Sequence, residues 1–141
     1  MPEKEIIERL IRIAIEMTNK SYAPYSGFRV GAALLAKDGR IFTGCNIENA
    51  AYSPTNCAER TAFFKAVSEG AREFTAIAIA GGKDGVITQP TAPCGVCRQV
   101  MMEFCNPKNF EIYMAVDETN YKKATLAELL PEGFGPENLV S

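Results

Sequence analysis

Histidine and tryptophan are both absent from this chain of 141 residues. Without histidine, a general base has to be a carboxylate, a lysine, a tyrosine or a thiolate, and a site for a soft metal ion has to be built mainly from cysteine. The length suits one domain, and the apolar share of 47% is ordinary for a folded globular protein. We therefore expect a single domain spanning residues 1–141 whose reactive groups are thiols and carboxylates.

The chain also lacks a long apolar run and a cluster of basic residues. Lysines and arginines are interspersed with acids, as in "EKEIIERLIR", and the net charge is −2, which argues against binding of a nucleic acid polymer. The opening residues "MPEKEIIERLIRIAIEM" carry acids where a secretory signal has basic residues, and charges interrupt their apolar positions. We expect a cytoplasmic protein with no membrane partner.

The spacing of apolar residues predicts alternating helices and strands. Helices are predicted over residues 2–20, 56–69 and 94–105, with a last helical turn in "LAELLPEGFGP". Strands are predicted in "FTAIAIAGG", "FEIYMAV" and "YKKATL", and "FRVGAALLAKDGRIFTGCN" is predicted to form two strands joined at Asp38 and Gly39. This order predicts an α/β fold in which a mixed sheet lies between helix layers.

Five cysteines are present, an odd number that does not suit a disulfide framework. Cys94 and Cys97 stand three apart in "TAPCGVCRQ", so both sulfurs can lie on one face of a helix and meet one ion. A Cys-x-x-Cys pair also occurs in redox sites, and the two thiols could simply be buried in the core. Neither alternative accounts for Cys57, which precedes Glu59 by two residues in "SPTNCAER".

The segment around Cys57 has a simpler interpretation of its own. Asn56 is predicted to cap the second helix, with Glu59 at the third helical position, in a variant of the capping box. That position would place the thiol and the carboxylate at the positive end of the helix, where a thiolate is stabilised.

Taken together, Cys-x-Glu followed by Pro-Cys-x-x-Cys matches the signature of zinc deaminases. The chain resembles the cytidine deaminases of the small, three-cysteine zinc type over nearly its whole length, and "YSGFRVGAALL" and "GCNIENAAYSPT" also match that family. The resemblance implies a three-layer α/β/α sandwich around a five-stranded mixed sheet. It also implies one Zn²⁺ per subunit and a homotetramer with active sites at subunit contacts.

The resemblance also implies a role for individual residues. These positions are Cys57, Cys94 and Cys97 as zinc ligands, Glu59 as the proton carrier, Asn46 and Glu48 for the ribose hydroxyls, Phe28 with the backbone of Ala58 and Cys94 for the base, and Tyr52 and Phe134 for a neighbouring subunit's site. The chemistry agrees for Asn46 and Glu48, because an amide and a carboxylate together satisfy the donors and acceptors of a sugar.

Three thiolates around zinc leave a net negative centre, which would weaken the acidification of a bound water, so a nearby cation should matter. We expect Arg60 to donate hydrogen bonds to the ligand sulfurs, and Gln99 to support the ligands as well. Cys105 lies about 12 Å beyond Cys97 along a continuous helix, too far for a zinc–sulfur bond of about 2.3 Å. Spacing does not exclude Cys45, which we expect to be a buried strand thiol; three ligands and one open position are predicted.

The implied reaction is the hydrolytic deamination of cytidine and deoxycytidine to uridine and deoxyuridine, with release of ammonia, as in pyrimidine salvage. Glu59 would carry the protons, because the chain has no histidine. Two alternatives stay open: a related deaminase of another cytosine nucleoside, such as a nucleoside antibiotic, and a non-catalytic zinc-stabilised module in which Glu59 is only a helix cap.

Overall fold

The structure is a computed structural model that describes residues 2–140, so the expected domain limits at residues 1 and 141 lie outside the described residues. In chain order the elements are α1 (Lys4–Met17), β1 (Phe28–Ala36), β2 (Ile41–Cys45), α2 (Ala58–Ser68), β3 (Phe74–Lys83), α3 (Gly95–Phe104), β4 (Glu111–Ala115), β5 (Tyr121–Thr125) and α4 (Leu126–Leu129). The first helix, predicted over residues 2–20, is α-helical only to Met17 and continues as a 3-10 turn at Thr18–Lys20. A second 3-10 turn forms at Pro136–Asn138. Across the described range, no helix has the length and apolar character needed to span a membrane.

The five strands form one mixed sheet in the order β2-β1-β3-β4-β5. Only β3 and β4 run parallel, and the remaining neighbours are antiparallel. β3 lies at the centre and is buried over nearly its whole length, as its continuous apolar run predicts. The parallel pair requires a crossover, which α3 supplies, so the start of α3 lies beyond the carboxyl end of β3.

Helices cover both faces of this sheet. The apolar stripe of α1, formed by Ile7, Leu10, Ile11 and Ala14, packs on one face against a surface made largely of alanines. The other face forms a second core with α2 and α3, in which Phe63 contacts Phe74, Phe104 and Phe110. The predicted three-layer α/β/α sandwich with a five-stranded mixed sheet is confirmed.

The start of α2 differs from the prediction. The residue at the N-cap is Cys57, in extended conformation, and Glu59 is the second helical residue and not the third. Asn56 does not cap the helix because its backbone N–H and carbonyl both pair with Ile47, each at 2.9 Å. Its side chain donates instead to the hydroxyl of Thr61 at 3.2 Å. A long-range backbone pairing has therefore moved the helix start by one residue.

α2 lies directly on strand β2 because β2 carries Gly44 at the contact. A methyl group at this position would lie 2.2 Å from the carbonyl oxygen of Ala58 and 2.6 Å from the backbone nitrogen of Ala62. Those are main-chain atoms, which cannot rotate away. The absence of a side chain at Gly44 thus sets how close the first turn of α2 comes to the sheet.

We expect Gly44→Ala to destabilise the fold, because the helix would have to shift to admit one methyl group. Overpacking of this kind costs about 1–3 kcal/mol, so the melting temperature should fall by about 5 °C or more. Gly95→Ala is the matched control, since a methyl group there meets nothing within 4 Å. Equal melting temperatures for the two variants in a thermal scan would contradict this account of the contact.

Candidate active site

Three cysteine sulfurs converge where two helices begin. Cys57 is the N-cap residue of α2, Cys94 is the N-cap residue of α3, and Cys97 lies in the first turn of α3. The Sγ atoms of Cys57 and Cys94 are 3.6 Å apart, and those of Cys94 and Cys97 are 3.4 Å apart. All three sulfurs lie within 4.8 Å of one another. The segments that connect β2 to α2 and β3 to α3 therefore bring thiols from distant parts of the sequence to one point.

This geometry fits a tetrahedral zinc ion. Zinc–sulfur bonds of about 2.3 Å in tetrahedral geometry place neighbouring ligand sulfurs about 3.8 Å apart. Both helices direct their positive ends at the cluster, which stabilises thiolates. The cluster contains three cysteines. Cys105 lies at the other end of α3, and the thiol of Cys45 donates to the carbonyl of Lys20 at 3.4 Å. Zinc held here would keep a fourth position for water or substrate.

Arg60 brings a positive charge to the cluster. Its Nη2 donates to the sulfur of Cys57 at 3.4 Å, the kind of contact that its position beside Glu59 predicts. The hydrogen bond from Cys97, together with that from Arg60, lowers the pKa of Cys57 to about 5, although partial burial opposes the shift. The Nε of Arg60 is buried without a hydrogen-bond partner among the described residues. Arg60 therefore holds a cationic side chain against the thiols, where it offsets part of their negative charge.

Glu59 is a buried carboxylate beside the same cluster, with 4% of its surface exposed. Burial raises its pKa to about 7, because removal from water disfavours the charged form, and the negative charge of Cys57 adds to the shift. The extended conformation of Cys57 allows thiol and carboxylate to share one end of the helix, although regular helical positions two apart point in different directions. A carboxyl that titrates near neutral pH can accept and donate a proton.

A pocket of about 260 Å³ opens beside the cluster. It brings together most of the predicted site residues: Phe28, Asn46, Glu48, Cys57, Ala58, Glu59 and Cys94. The other lining residues are not predicted from the sequence: Ser26, Val30, Thr55, Asn56, Thr91 and Ala92. Of these, Thr91 and Ala92 directly precede the Pro-Cys-x-x-Cys motif, so proximity in sequence could have indicated them. The pocket therefore joins the thiols and Glu59 to polar groups on two other segments.

The side chain of Asn46 is largely occupied by the protein itself. Its Oδ1 accepts a hydrogen bond from the backbone of Val30 at 2.9 Å and another from the hydroxyl of Ser21. Its Nδ2 donates to the carbonyl of Phe28 at 2.8 Å. An amide has two acceptor sites and two donor hydrogens. Within the described residues, one N–H of Asn46 remains available.

Glu48 is held in the same way. Its Oε1 accepts hydrogen bonds from the backbone of Tyr25 at 2.9 Å and of Ser26 at 3.1 Å, and its Oε2 accepts one from the Ser26 hydroxyl. These hydrogen bonds lower the pKa of Glu48. A carboxylate offers about four acceptor sites. One acceptor site of Glu48 is therefore left for a ligand.

Five predicted site residues do not line this pocket: Cys97 and Arg60, which lie at the thiol cluster, and Tyr52, Phe134 and Gln99. Tyr52 is 72% exposed and stacks edge-on with Tyr25, and Phe134 is 57% exposed near the C-terminus. Gln99, expected to support the zinc ligands, donates its Nε2 hydrogen bond to the carbonyl of Phe134 at 2.7 Å. Its hydrogen bond thus joins α3 to the C-terminal segment, and it does not reach the sulfurs.

An α/β/α sandwich whose three thiols and buried glutamate meet at two helix starts defines the class of zinc-dependent deaminases. Within that class, residues 4–114 match the family model described as the cytidine and deoxycytidylate deaminase zinc-binding region. The chain belongs to this family. Its cofactor is Zn²⁺, and the three-cysteine cluster fits that ion.

Relatives match over nearly the full chain. The cytidine deaminase of Sporosarcina psychrophila is 51% identical over 133 residues, which is 94% of each chain. That of Halalkalibacterium halodurans is 48% identical over 132 residues, covering 94% of this chain and 96% of the relative. The crystal structure of cytidine deaminase from Burkholderia pseudomallei has a TM-score of 0.81 at 46% identity, covering 89% of this chain and 97% of that one. The likeness therefore extends over the fold as well as the motifs.

Zinc analysis of cysteine variants tests the ligand set. We expect about one zinc per chain in the wild type and a large loss in Cys97→Ala, because two thiols hold the ion far less tightly than three. Cys105→Ala and Cys45→Ala are the controls, since neither thiol belongs to the cluster. Elemental analysis of dialysed protein provides the measurement. Full zinc in Cys97→Ala, or equal loss in a control, would refute the assignment.

Proposed function

We propose that the protein catalyses the hydrolytic deamination of cytidine and deoxycytidine to uridine and deoxyuridine, with release of ammonia. The observation that carries the proposal is the buried carboxylate of Glu59, which lines the same pocket as two of the three clustered thiols. The names of the relatives at 48–51% identity point to the same reaction. The reaction would serve pyrimidine salvage.

Cys57, Cys94 and Cys97 would hold the zinc. When bound, the ion supplies Lewis acidity that makes water a nucleophile at neutral pH. Arg60 offsets part of the negative charge of the thiolates through its bond to Cys57. Gln99 would act at a greater distance, by fixing the C-terminal segment to α3.

Glu59 would move the protons. Its carboxylate accepts a proton from the attacking water and delivers it to ring nitrogen N3, as the hydroxyl adds to C4 of the base. A second transfer, of the proton of the new C4 hydroxyl to the exocyclic amine, lets the C4–N bond break so that ammonia leaves and the C4 carbonyl forms. Phe28 and the backbone of Ala58 and Cys94, which line the pocket, would orient the ring for this attack.

The remaining hydrogen-bond capacity of the pocket suits one sugar hydroxyl. Asn46 keeps one donor and Glu48 keeps one acceptor, and a hydroxyl can accept from the first while donating to the second. A second hydroxyl would find no further position on these two side chains. Since deoxycytidine lacks the 2′-hydroxyl and is among the proposed substrates, we assign this position to the 3′-hydroxyl.

The lining of the pocket favours nucleosides over nucleotides. It includes the carboxylates of Glu48 and Glu59, and none of its described residues is a lysine or arginine. A phosphate ester would meet negative charge there with no cation to bind it. A polynucleotide is disfavoured for the same reason.

We further propose that the enzyme is a cytoplasmic homotetramer, with Tyr52 and Phe134 approaching a neighbouring subunit's site. Both rings are large and mostly exposed in the single chain, which is the state expected of aromatic residues that an assembly covers.

Glu59→Gln tests the proton-transfer role, because the amide keeps the size of the side chain and cannot accept the proton. We expect turnover of cytidine to fall about 100- to 10,000-fold, while zinc content and melting temperature stay near wild type. Glu103→Gln, an exposed position on α3, is the matched control and should retain full activity. A Glu59→Gln enzyme that is zinc-loaded and nearly as active as wild type would refute the mechanism.

Deoxy analogues test the sugar contact. We expect 2′-deoxycytidine to be turned over with a kcat/KM within about tenfold of cytidine, and 3′-deoxycytidine to lose at least about tenfold, because only one hydroxyl is bound by Asn46 and Glu48. Equal losses for both analogues would contradict the count of available hydrogen bonds.

Ammonia release from a different cytosine nucleoside alone would point to a related deaminase. Full zinc with no turnover would point to a non-catalytic module.

A further inference from the structure

The turn formed by Tyr25, Ser26, Gly27 and Phe28 supplies one wall of the pocket and is bound on two sides. From inside the pocket, Glu48 accepts the three hydrogen bonds of Tyr25 and Ser26 described above, and Asn46 binds the carbonyl of Phe28. The Ser26 hydroxyl also accepts from the backbone of Phe28 at 3.0 Å. Asn46 and Glu48, which are proposed to bind the sugar, therefore also fix the turn that carries Phe28, the residue proposed to contact the base.

The outer side of this turn is bound by the end of β3. Nζ of Lys83 donates to the carbonyl of Ser26, and the backbone of Asp84 donates to the carbonyl of Gly27 at 2.7 Å. Lys83 is also the strand partner of Phe28 in the β1–β3 ladder. The side chains of Lys83 and Asp84 both lie close to Gly27. A methyl group on Gly27 would lie 2.8 Å from Nζ of Lys83 and 3.1 Å from Oδ1 of Asp84.

Without Lys83, the Ser26 carbonyl would lose its ammonium donor. The N–H of the Ser26–Gly27 peptide would keep its hydrogen bond to the carbonyl of Ala23, and the Gly27 carbonyl would keep the one from Asp84. The Ser26 carbonyl itself would have no donor among the described residues. Charge-assisted hydrogen bonds are stronger than neutral ones, and an ammonium on a backbone carbonyl can fix one peptide orientation. A change in the orientation of this peptide would move two groups proposed to contact the substrate, the Phe28 ring and the Glu48 carboxylate.

We propose that Lys83 is a positioning residue for the nucleoside, acting through the Ser26 carbonyl on Phe28 and Glu48. The proposal rests on the proposed deaminase function. Lys83 does not line the pocket and does not contact the zinc ligands in the described structure. Its effect should therefore fall on substrate binding, which is shared by the ground state and the transition state, and should leave the chemical step unchanged.

The test is steady-state kinetics on the full-length, zinc-loaded enzyme with cytidine. We expect Lys83→Met to raise KM about three- to tenfold with kcat, zinc content and melting temperature near wild type, since the lost contact is charge-assisted but exposed. Lys83→Arg restores a cationic donor and should bring KM back toward wild type. Lys122→Met, an exposed lysine on the edge strand β5, controls for loss of one positive charge.

Several results would overturn the proposal. A KM for Lys83→Met within twofold of wild type would do so, as would a fall in kcat at unchanged KM. Equal impairment of Lys83→Met and Lys83→Arg, or an equal effect of Lys122→Met, would also overturn it. If Lys83→Met loses zinc or fails to fold, the Lys83→Arg kinetics decide, and a KM unlike wild type rejects the role. Failure of the deaminase function itself is distinguishable, because the wild-type enzyme would then release no ammonia.

Discussion

The structure depends above all on the meeting of two helix starts, which brings three sulfurs to within 4.8 Å of one another. Three thiolates so close together repel one another strongly, and the fold offsets that repulsion with positive helix ends and the guanidinium of Arg60. A divalent cation supplies the remaining compensation. Because Cys57 is the N-cap residue of α2 and Glu59 lies in its first turn, any shift of this helix would move a proposed zinc ligand and the proposed proton carrier together. The close contact at Gly44 is therefore as much a part of the site as the ligands are.

The polar side chains in the wall of the pocket stabilise the fold, and in the proposed function they also bind the sugar. Asn46 and Glu48 each use most of their hydrogen-bonding capacity to hold the segment around Phe28 and keep one position open. Their orientation is fixed before a ligand arrives, so little conformational entropy is lost on binding. The same arrangement explains why the selectivity of such a pocket can rest on few groups: what remains unpaired after folding is what a ligand can use.

The features of the fold that follow from local patterns could be predicted from the sequence. Apolar periodicity identified α1, α2 and α3 to within about three residues at their ends, and the buried central strand was evident from its continuous apolar run. The thiols and Glu59 could be indicated because their spacing is a matter of short motifs. Features set by long-range contacts could not. Asn56 loses its capping role to a pairing with Ile47, and Gln99 reaches Phe134 across 35 residues. The bond of Lys83 to Ser26 depends on the pairing of β1 with β3, which no local pattern specifies.

We propose that the zinc site is open, with three cysteine ligands and one exchangeable position. X-ray absorption spectroscopy at the zinc edge, on the purified protein in solution, tests it most directly. We predict three sulfur scatterers at about 2.3 Å and one lighter oxygen or nitrogen scatterer at about 2.0–2.2 Å. Four sulfur scatterers would show a closed structural site, contradict the assignment of a catalytic centre, and require Cys45 or Cys105 to reach the metal.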